Sequence, residues 1–210
     1  MTLIAVMSHN SLTIKLLRPM AIALTVAIAV PTVISEATAN PTLEIAQAPD
    51  LDRIFNQGVA QLQRRDFEAA IASFSQVLEE KADDPMAYIG RAFAYRNQGD
   101  YRKAIEDYNA TLRLQPDNPK AYLDRGICYY HLEEYEQAEE NYSTALRYNE
   151  KYGQAYYNRG LARLNLDKHR TALADFRQAA AIYQEQELEE YYQEALERIE
   201  DIQNGGTGTR

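Results

Sequence analysis

Residues 155–180 read "AYYNRGLARLNLDKHRTALADFRQAA", with Tyr, Asn, Arg, Asp and His close enough together to suggest a catalytic cluster. Thirty-four residues upstream, at 121–146, stands "AYLDRGICYYHLEEYEQAEENYSTAL". A further 34 upstream, at 87–112, stands "AYIGRAFAYRNQGDYRKAIEDYNATL". The small and apolar letters recur while the polar ones drift. Residues that stay fixed between copies inside one chain are the ones that pack the copies together, so this pattern describes architecture before chemistry.

The period extends in both directions. Ala70, Ala104, Ala138 and Ala172 are spaced by 34, as are Phe74, Tyr108, Tyr142 and Phe176, and Ile54, Tyr88, Tyr122 and Tyr156. Phe67, Tyr101 and Tyr135 follow the same rule, with His169 in the fourth place. Four units result: 51–84, 85–118, 119–152 and 153–186. Within the second, Tyr88, Ala92 and Tyr95 fall at i, i+4 and i+7, one face of a helix. Gly99-Asp100 breaks that helix. Ala104, Tyr108, Thr111 and Leu112 make a second face, and Pro116-Asp117-Asn118-Pro119 stops it with turn chemistry. Each unit is therefore predicted as two antiparallel helices. The recurring Ala marks a place where two helix backbones approach too closely for a larger side chain. A unit of this kind buries its apolar face only against its neighbours, which predicts an all-α solenoid.

On these residues the chain resembles tetratricopeptide repeat proteins, whose 34-residue helix pairs carry an early aromatic, Leu-Gly, Tyr, Ala, an aromatic, Ala and Pro in order. The third unit supplies Tyr122, Gly126, Tyr129, Ala138, Tyr142 and Ala145 at those places. The resemblance covers 51–186 and implies a right-handed α-solenoid of four helix pairs. Two departures stand out. Only the second unit keeps the terminal proline, Pro116, with Ala82, Glu150 and Gln184 in the other units. Arg91, Arg125 and Arg159 stand where the family usually has Leu.

The ends differ in composition from the repeats. In residues 1–39, Lys15 and Arg18 precede an apolar run from Met20 to Val30, and Ala37-Thr38-Ala39 follows. A basic start, a short apolar stretch and an A-x-A site predict a secretory signal peptide, cleaved after Ala39. The alternative is an uncleaved anchor. Residues 40–50 read as a linker with two prolines, 187–203 as an amphipathic capping helix, and 204–210 as a disordered tail. On the helix at 187–203, Leu188, Tyr191, Tyr192, Ala195, Ile199 and Ile202 lie on one side and acids on the other. No Gly or Pro separates it from the preceding helix, so the turn near 184–187 reads as partial, with one continuous helix as the alternative. The chain carries −9, and since Lys15, Arg18 and Glu36 give residues 1–39 a net +1, the remainder carries −10. Such a charge repels phosphate backbones and anionic lipid. No nucleic-acid partner and no membrane span after signal cleavage are expected. The predicted location is an exported one: a periplasm, a photosynthetic lumen or the medium. Cys128 is the only cysteine, which excludes an internal disulfide and fits a small buried side chain better than a reactive thiol.

Signals for chemistry are sparse. Cys128 and His131 stand three apart on one helix, but two ligands are too few for a tight zinc site. No phosphate loop, H-E-x-x-H or G-x-S-x-G occurs. Glu133, Glu134 and Glu136 read as a solvated turn. No cofactor, metal or catalytic residue is expected. A structural ladder is expected instead. Arg91, Arg125 and Arg159 on first helices stand sixteen positions before Asp107, Asn141 and Asp175 on second helices, and the first unit lacks charge at both places. A guanidinium fork suits those oxygens. The alternative is that the arginines face the groove and hold a ligand's carboxylates.

The resemblance implies that first helices line a concave, ligand-binding groove. Residue by residue, the groove positions carry Phe55, Asn56, Val59, Leu62, Met86, Ile89, Phe93, Arg96, Asn97, Lys120, Leu123, Asp124, Ile127, Tyr130, His131, Gln154, Tyr157, Asn158, Leu161 and Asn165. Aromatic and aliphatic anchors mixed with amides suit a peptide. Tyr130 and Tyr157 are singled out for binding. The family's chaperone-binding class holds a terminal carboxylate with Lys, Asn and Arg. Here those places carry Phe55, Val59, Gly90, Lys120 and Asp124, and only Lys120 fits; starting one unit later gives Ile89, Phe93, Asp124, Gln154 and Asn158. No such clamp is expected. The function these features predict is a non-catalytic scaffold or adaptor binding a peptide or protein partner. The alternative is an assembly or chaperone-like factor for an envelope or lumenal membrane complex.

Overall fold

A computed structural model describes residues 50–205, so the expected signal peptide at 1–39, the linker up to residue 49 and the tail from residue 206 lie outside the described residues. Among the described residues there are nine helices and no strand. They are α1 (Leu51–Gln63), α2 (Phe67–Glu80), α3 (Pro85–Gln98), α4 (Tyr101–Leu114), α5 (Pro119–His131), α6 (Tyr135–Tyr148), α7 (Gly153–Asn165), α8 (His169–Glu185) and α9 (Glu189–Gln203). Each helix packs chiefly on its neighbours in sequence, with lesser contacts between first helices such as α1 with α3 and α5 with α7. That local pattern is an all-α solenoid.

Helix starts follow from sequence. Asp50, Asp66, Asp84 and Asn118 each accept a backbone N–H from the first turn, satisfying a donor the helix cannot. Pro85 and Pro119 occupy first-turn positions, where a missing N–H costs nothing. Turns inside the pairs share one geometry. Arg65, Gly99, Glu133 and Asp167, again spaced by 34, all take positive φ, between 57° and 86°. In each, the next residue's N–H reaches back to the helix, as Glu134 N does to Tyr129 O at 2.9 Å. Only one of the four is glycine.

The same turn recurs between α8 and α9. Glu187 has φ 58°, and Leu188 N donates to Tyr183 O at 2.9 Å. The turn is complete, and no continuous helix runs from 169 to 203. Earlier second helices end at the places equivalent to Tyr183, namely Lys81, Gln115 and Asn149. At Tyr183 the chain stays helical, because its ring is buried and packs on Gly153 and Tyr191. Gly153 stands where α3 and α5 have proline, and a Cβ there would lie 2.7 Å from the Tyr183 ring. The seam of α9 is Tyr192, Ala195, Leu196, Ile199 and Ile202, whereas Leu188 and Tyr191, expected on it, are 39% and 51% exposed. Register explains the difference, since 192, 195, 196, 199 and 202 follow the helical period around the fully buried Ala195.

The core is a row of four clusters, one per pair. Ala70, Ala104, Ala138 and Ala172 are all fully buried, as are the rings of Phe74, Tyr108, Tyr142 and Phe176. Those rings lie against small residues on first helices. A Cβ at Gly58 or Gly90 would sit within 3 Å of Phe74, one at Gly126 within 3 Å of Tyr142, and one at Gly160 within 3 Å of Phe176. The Tyr108 hydroxyl is buried with no hydrogen-bond partner among the described residues, and burial pushes its ionisation well above the usual range.

Two outcomes follow for stability. Tyr108→Phe, which installs the ring found at 74 and 176, should stabilise by about 1–3 kcal/mol by removing an unpaired buried hydroxyl. Tyr108→Ala should cost about 3–5 kcal/mol. Urea unfolding measures both, and a loss of stability on Tyr108→Phe would mean the hydroxyl has a partner in solution. Glu187→Gly should raise the unfolding midpoint, since a β-carbon at positive φ costs about 1–2 kcal/mol; a lowered midpoint would contradict the turn geometry.

Candidate functional site

The first helices α1, α3, α5 and α7 carry the expected groove residues. On α1, Phe55 and Val59 are half-buried and Asn56 is exposed. Phe55 packs T-shaped on Phe74, with 5.5 Å between centroids. On α3, Met86 is 53% exposed, Ile89 and Phe93 are half-buried, and the Asn97 amide donates to Phe93 O at 2.7 Å. On α5, Lys120 and His131 are exposed, Ile127 and Tyr130 half-buried, and Asp124 buried. On α7, Asn158 is half-buried and Tyr157 only 8% exposed.

A recess of about 460 Å³ lies at the centre, lined by Arg96, Asn97, Tyr101, Lys120, Asp124, Ile127, His131 and Gln154. It brings together Arg96, Asn97, Lys120, Asp124, Ile127, His131 and Gln154 of the expected groove positions. The α1 residues, Met86, Ile89, Phe93, Leu123, Tyr130 and the α7 residues Tyr157, Asn158, Leu161 and Asn165 are not in its lining. Asp124 holds its floor, accepting from Arg96 Nη1 at 2.6 Å and Lys120 Nζ at 3.1 Å. Arg96 also stacks over Phe93 at 5.0 Å. The ion pair leaves one cation in excess in the recess, against the acidic background of the chain. His131 stacks parallel on Tyr101 at 4.8 Å, and burial and Arg96 both push its pKa down, which favours the neutral imidazole. Tyr101 was missed by sequence reasoning, which counted it only among the aromatics that recur every 34 residues. Its only signal was its register against His131 of the next unit.

Tyr157 is closed over by α9. Its hydroxyl donates to Glu194 Oε1 at 2.6 Å and accepts from Arg198 Nε at 3.3 Å, and its ring packs T-shaped on Phe176. Burial raises its pKa to about 12. Substituting it therefore reports packing of the cap as much as binding. Tyr130 accepts from the Asn165 amide at 3.1 Å and keeps a half-exposed ring.

The arginines point away from this groove. Arg91 donates from Nε and Nη2 to the two oxygens of Asp107, both at 2.8 Å, and from Nη1 to Ser75 at 3.0 Å. Arg159 repeats this with Asp175 at 3.0 and 2.7 Å and Ser143 at 3.1 Å. Arg125 donates from Nε to Asn141 Oδ1 at 2.7 Å and from Nη1 to Asn109 Oδ1. Ser75, Asn109 and Ser143 are themselves spaced by 34 and lie on the preceding unit's second helix. Each arginine therefore ties its own pair to the one before it. Each also lies over the Tyr three residues earlier, at 5.3–5.7 Å.

Among the described residues no group of three or more His, Cys, Asp and Glu is placed to hold a metal, and no helix is long and apolar enough to cross a membrane. Cys128 is fully buried, and burial pushes its thiol up to about 12, far from a reactive thiolate.

Comparison with known proteins fits this architecture. MamA residues 41 to the end from Desulfovibrio magneticus RS-1 superposes with a TM-score of 0.63 at 21% identity, covering 65% of this chain and 77% of that one. The first TPR of Spaghetti (RPAP3), solved bound to the HSP90 peptide SRMEEVD, gives a TM-score of 0.53 at 26% identity, covering 58% and 91%. A tetratricopeptide repeat protein from Parabacteroides merdae gives 0.59 at 21%, covering 74% and 66%. No curated protein matches the sequence. Two family profiles, both described as Tetratricopeptide repeat, match: one over residues 91–156, the other over 55–119 and 132–187. The chain belongs to the tetratricopeptide repeat family.

Proposed function

We propose that the protein is a non-catalytic scaffold that holds a peptide or protein partner along the trough of its first helices. The observation that carries this reading is the lining itself. Met86, Asn97, Lys120, His131 and Gln154 are exposed on the trough side, and none belongs to the four core clusters. Half-buried Ile89, Phe93 and Ile127 lie between them. Apolar anchors within a polar rim suit a partner whose side chains dock while its backbone meets amides. Of the clamp positions, only Lys120 is a suitable cation, and it is already engaged by Asp124, which argues against recognition of a terminal carboxylate in the trough. The A-x-A site and apolar run of residues 1–39 support a signal peptide, so the partner is sought in an exported compartment.

A photo-cross-linking residue placed at Asn97, at Gln154, or at exposed Arg113 on α4 tests the assignment in an envelope or secreted fraction. Adducts to one partner from 97 and 154, and none from 113, are expected. Adding Met86→Ala with Phe93→Ala should weaken capture by about tenfold or more while the helical circular-dichroism signal holds. Capture through 113 alone, or capture indifferent to the double substitution, would sink the trough assignment. Weak adducts to many unfolded apolar chains would replace the scaffold with the chaperone-like reading.

A further inference from the structure

The ladder is broken at its middle rung. Asp107 and Asp175 each receive two hydrogen bonds from their arginine, whereas the third unit has Asn141 there. An amide offers one acceptor where a carboxylate offers two. Asn141 Oδ1 takes Arg125 Nε, and its Nδ2 donates to Gln137 O at 2.7 Å. Nη2 of Arg125, the atom that meets the second Asp oxygen in the other rungs, has no hydrogen bond among the described residues. The electrostatics diverge accordingly. The bond to Asp107 raises Arg91 above its usual range, while burial pulls Arg125 below its own.

This guanidinium lines an open recess of about 360 Å³ between α5 and α6. With Asn141, the residues Tyr122, Tyr129, Gln137, Glu140, Thr144 and Arg147 complete the lining. Arg147 donates to Thr144 Oγ1 at 3.0 Å and has no carboxylate partner among the described residues, while the exposed Glu140 acts on Arg125 through space without a hydrogen bond to it. With two guanidinium groups and one carboxylate, the recess carries one positive charge in excess, and Arg125 Nη2 is its unpaired donor. On α5, Tyr122, Arg125 and Tyr129 project from the side opposite Lys120, Asp124, Ile127 and His131, at 100° per residue, so the recess is separate from the trough. The net negative charge of the chain opposes an incoming anion only weakly here, because exposed charges beyond about 8 Å are screened at physiological salt.

We propose that this recess is a second binding site, taking a carboxylate presented by an acidic peptide in the place that Asp107 and Asp175 fill from within the chain. The incoming oxygen accepts from Arg125 Nη2, with Arg147 at the rim. No other unit offers such a site: units two and four supply their own carboxylate, and unit one has Gln57 and Ser73 at these places.

The test follows the Arg125 Nε–H resonance by NMR as sodium acetate, sodium phosphate or sodium chloride is added at matched ionic strength. A saturable shift with acetate, tighter than with phosphate and absent with chloride, is expected. Asn141→Asp restores the pairing found in units two and four and should weaken acetate binding by about tenfold or more. No saturable acetate shift, an equal response to chloride, tighter phosphate than acetate, or an unchanged response in Asn141→Asp would each overturn the proposal. Should Asn141→Asp lower the helical signal, the exposed Arg147→Ala decides: weaker acetate binding supports the site, and unchanged binding removes it. The trough cross-links do not depend on either variant.

Discussion

The structure depends on one close approach, a large ring pressed against a helix backbone that has almost no side chain there. Phe74, Tyr142 and Phe176 press on Gly58, Gly126 and Gly160, which share the 34-residue period, Phe74 also meets Gly90, and in the second unit the buried Ala92 takes that place in the cluster of Tyr108. Interiors pack at crystal density, so a contact this tight leaves few ways to fit the helices together. Because it recurs every 34 residues, the same placement recurs and the units stack in register. Glycine inside a helix costs about 1 kcal/mol against alanine, which the buried ring contact has to outweigh.

That constraint divides the surface of each first helix. One side is spent on rings and alanines. A second side carries Arg91, Arg125 and Arg159, which tie each pair to the one before it through Ser75, Asn109 and Ser143. The third side has no packing duty at its exposed positions and is free to vary, and there the trough lies. The arginines replace a usual leucine without losing cohesion. Their planar fork spans two helices at once, and their ring stacking retains part of the apolar contact.

Much of the architecture was legible because packing repeats and letters repeat with it. The period, the paired helices and the alternation of ring with small residue all follow from recurrences such as Ala104 with Ala138. What was not legible arises where the period fails. The turn at Gln184–Glu187 reads only as partial, since a glutamate there takes a backbone conformation usually left to glycine, and the extension of α8 past the earlier stopping place follows from the burial of Tyr183. Tyr157 occupies a groove place by register, yet α9 covers it, a consequence of which helix follows rather than of the unit itself. The stack of Tyr101 on His131 joins two units, and a reading within one unit passes over it.

The central claim is that ring-on-backbone contact, and not helix preference, sets the stack. It is tested most directly by the unfolding free energy of Gly126→Ala. Helix preference alone predicts a gain of about 1 kcal/mol. The added Cβ would lie 2.6 Å from the buried Tyr142 ring and 3.2 Å from the Asn141 Cβ. The account therefore predicts a net loss of about 1–3 kcal/mol from overpacking, with the helical signal retained before the transition. A variant more stable than the wild type would contradict it.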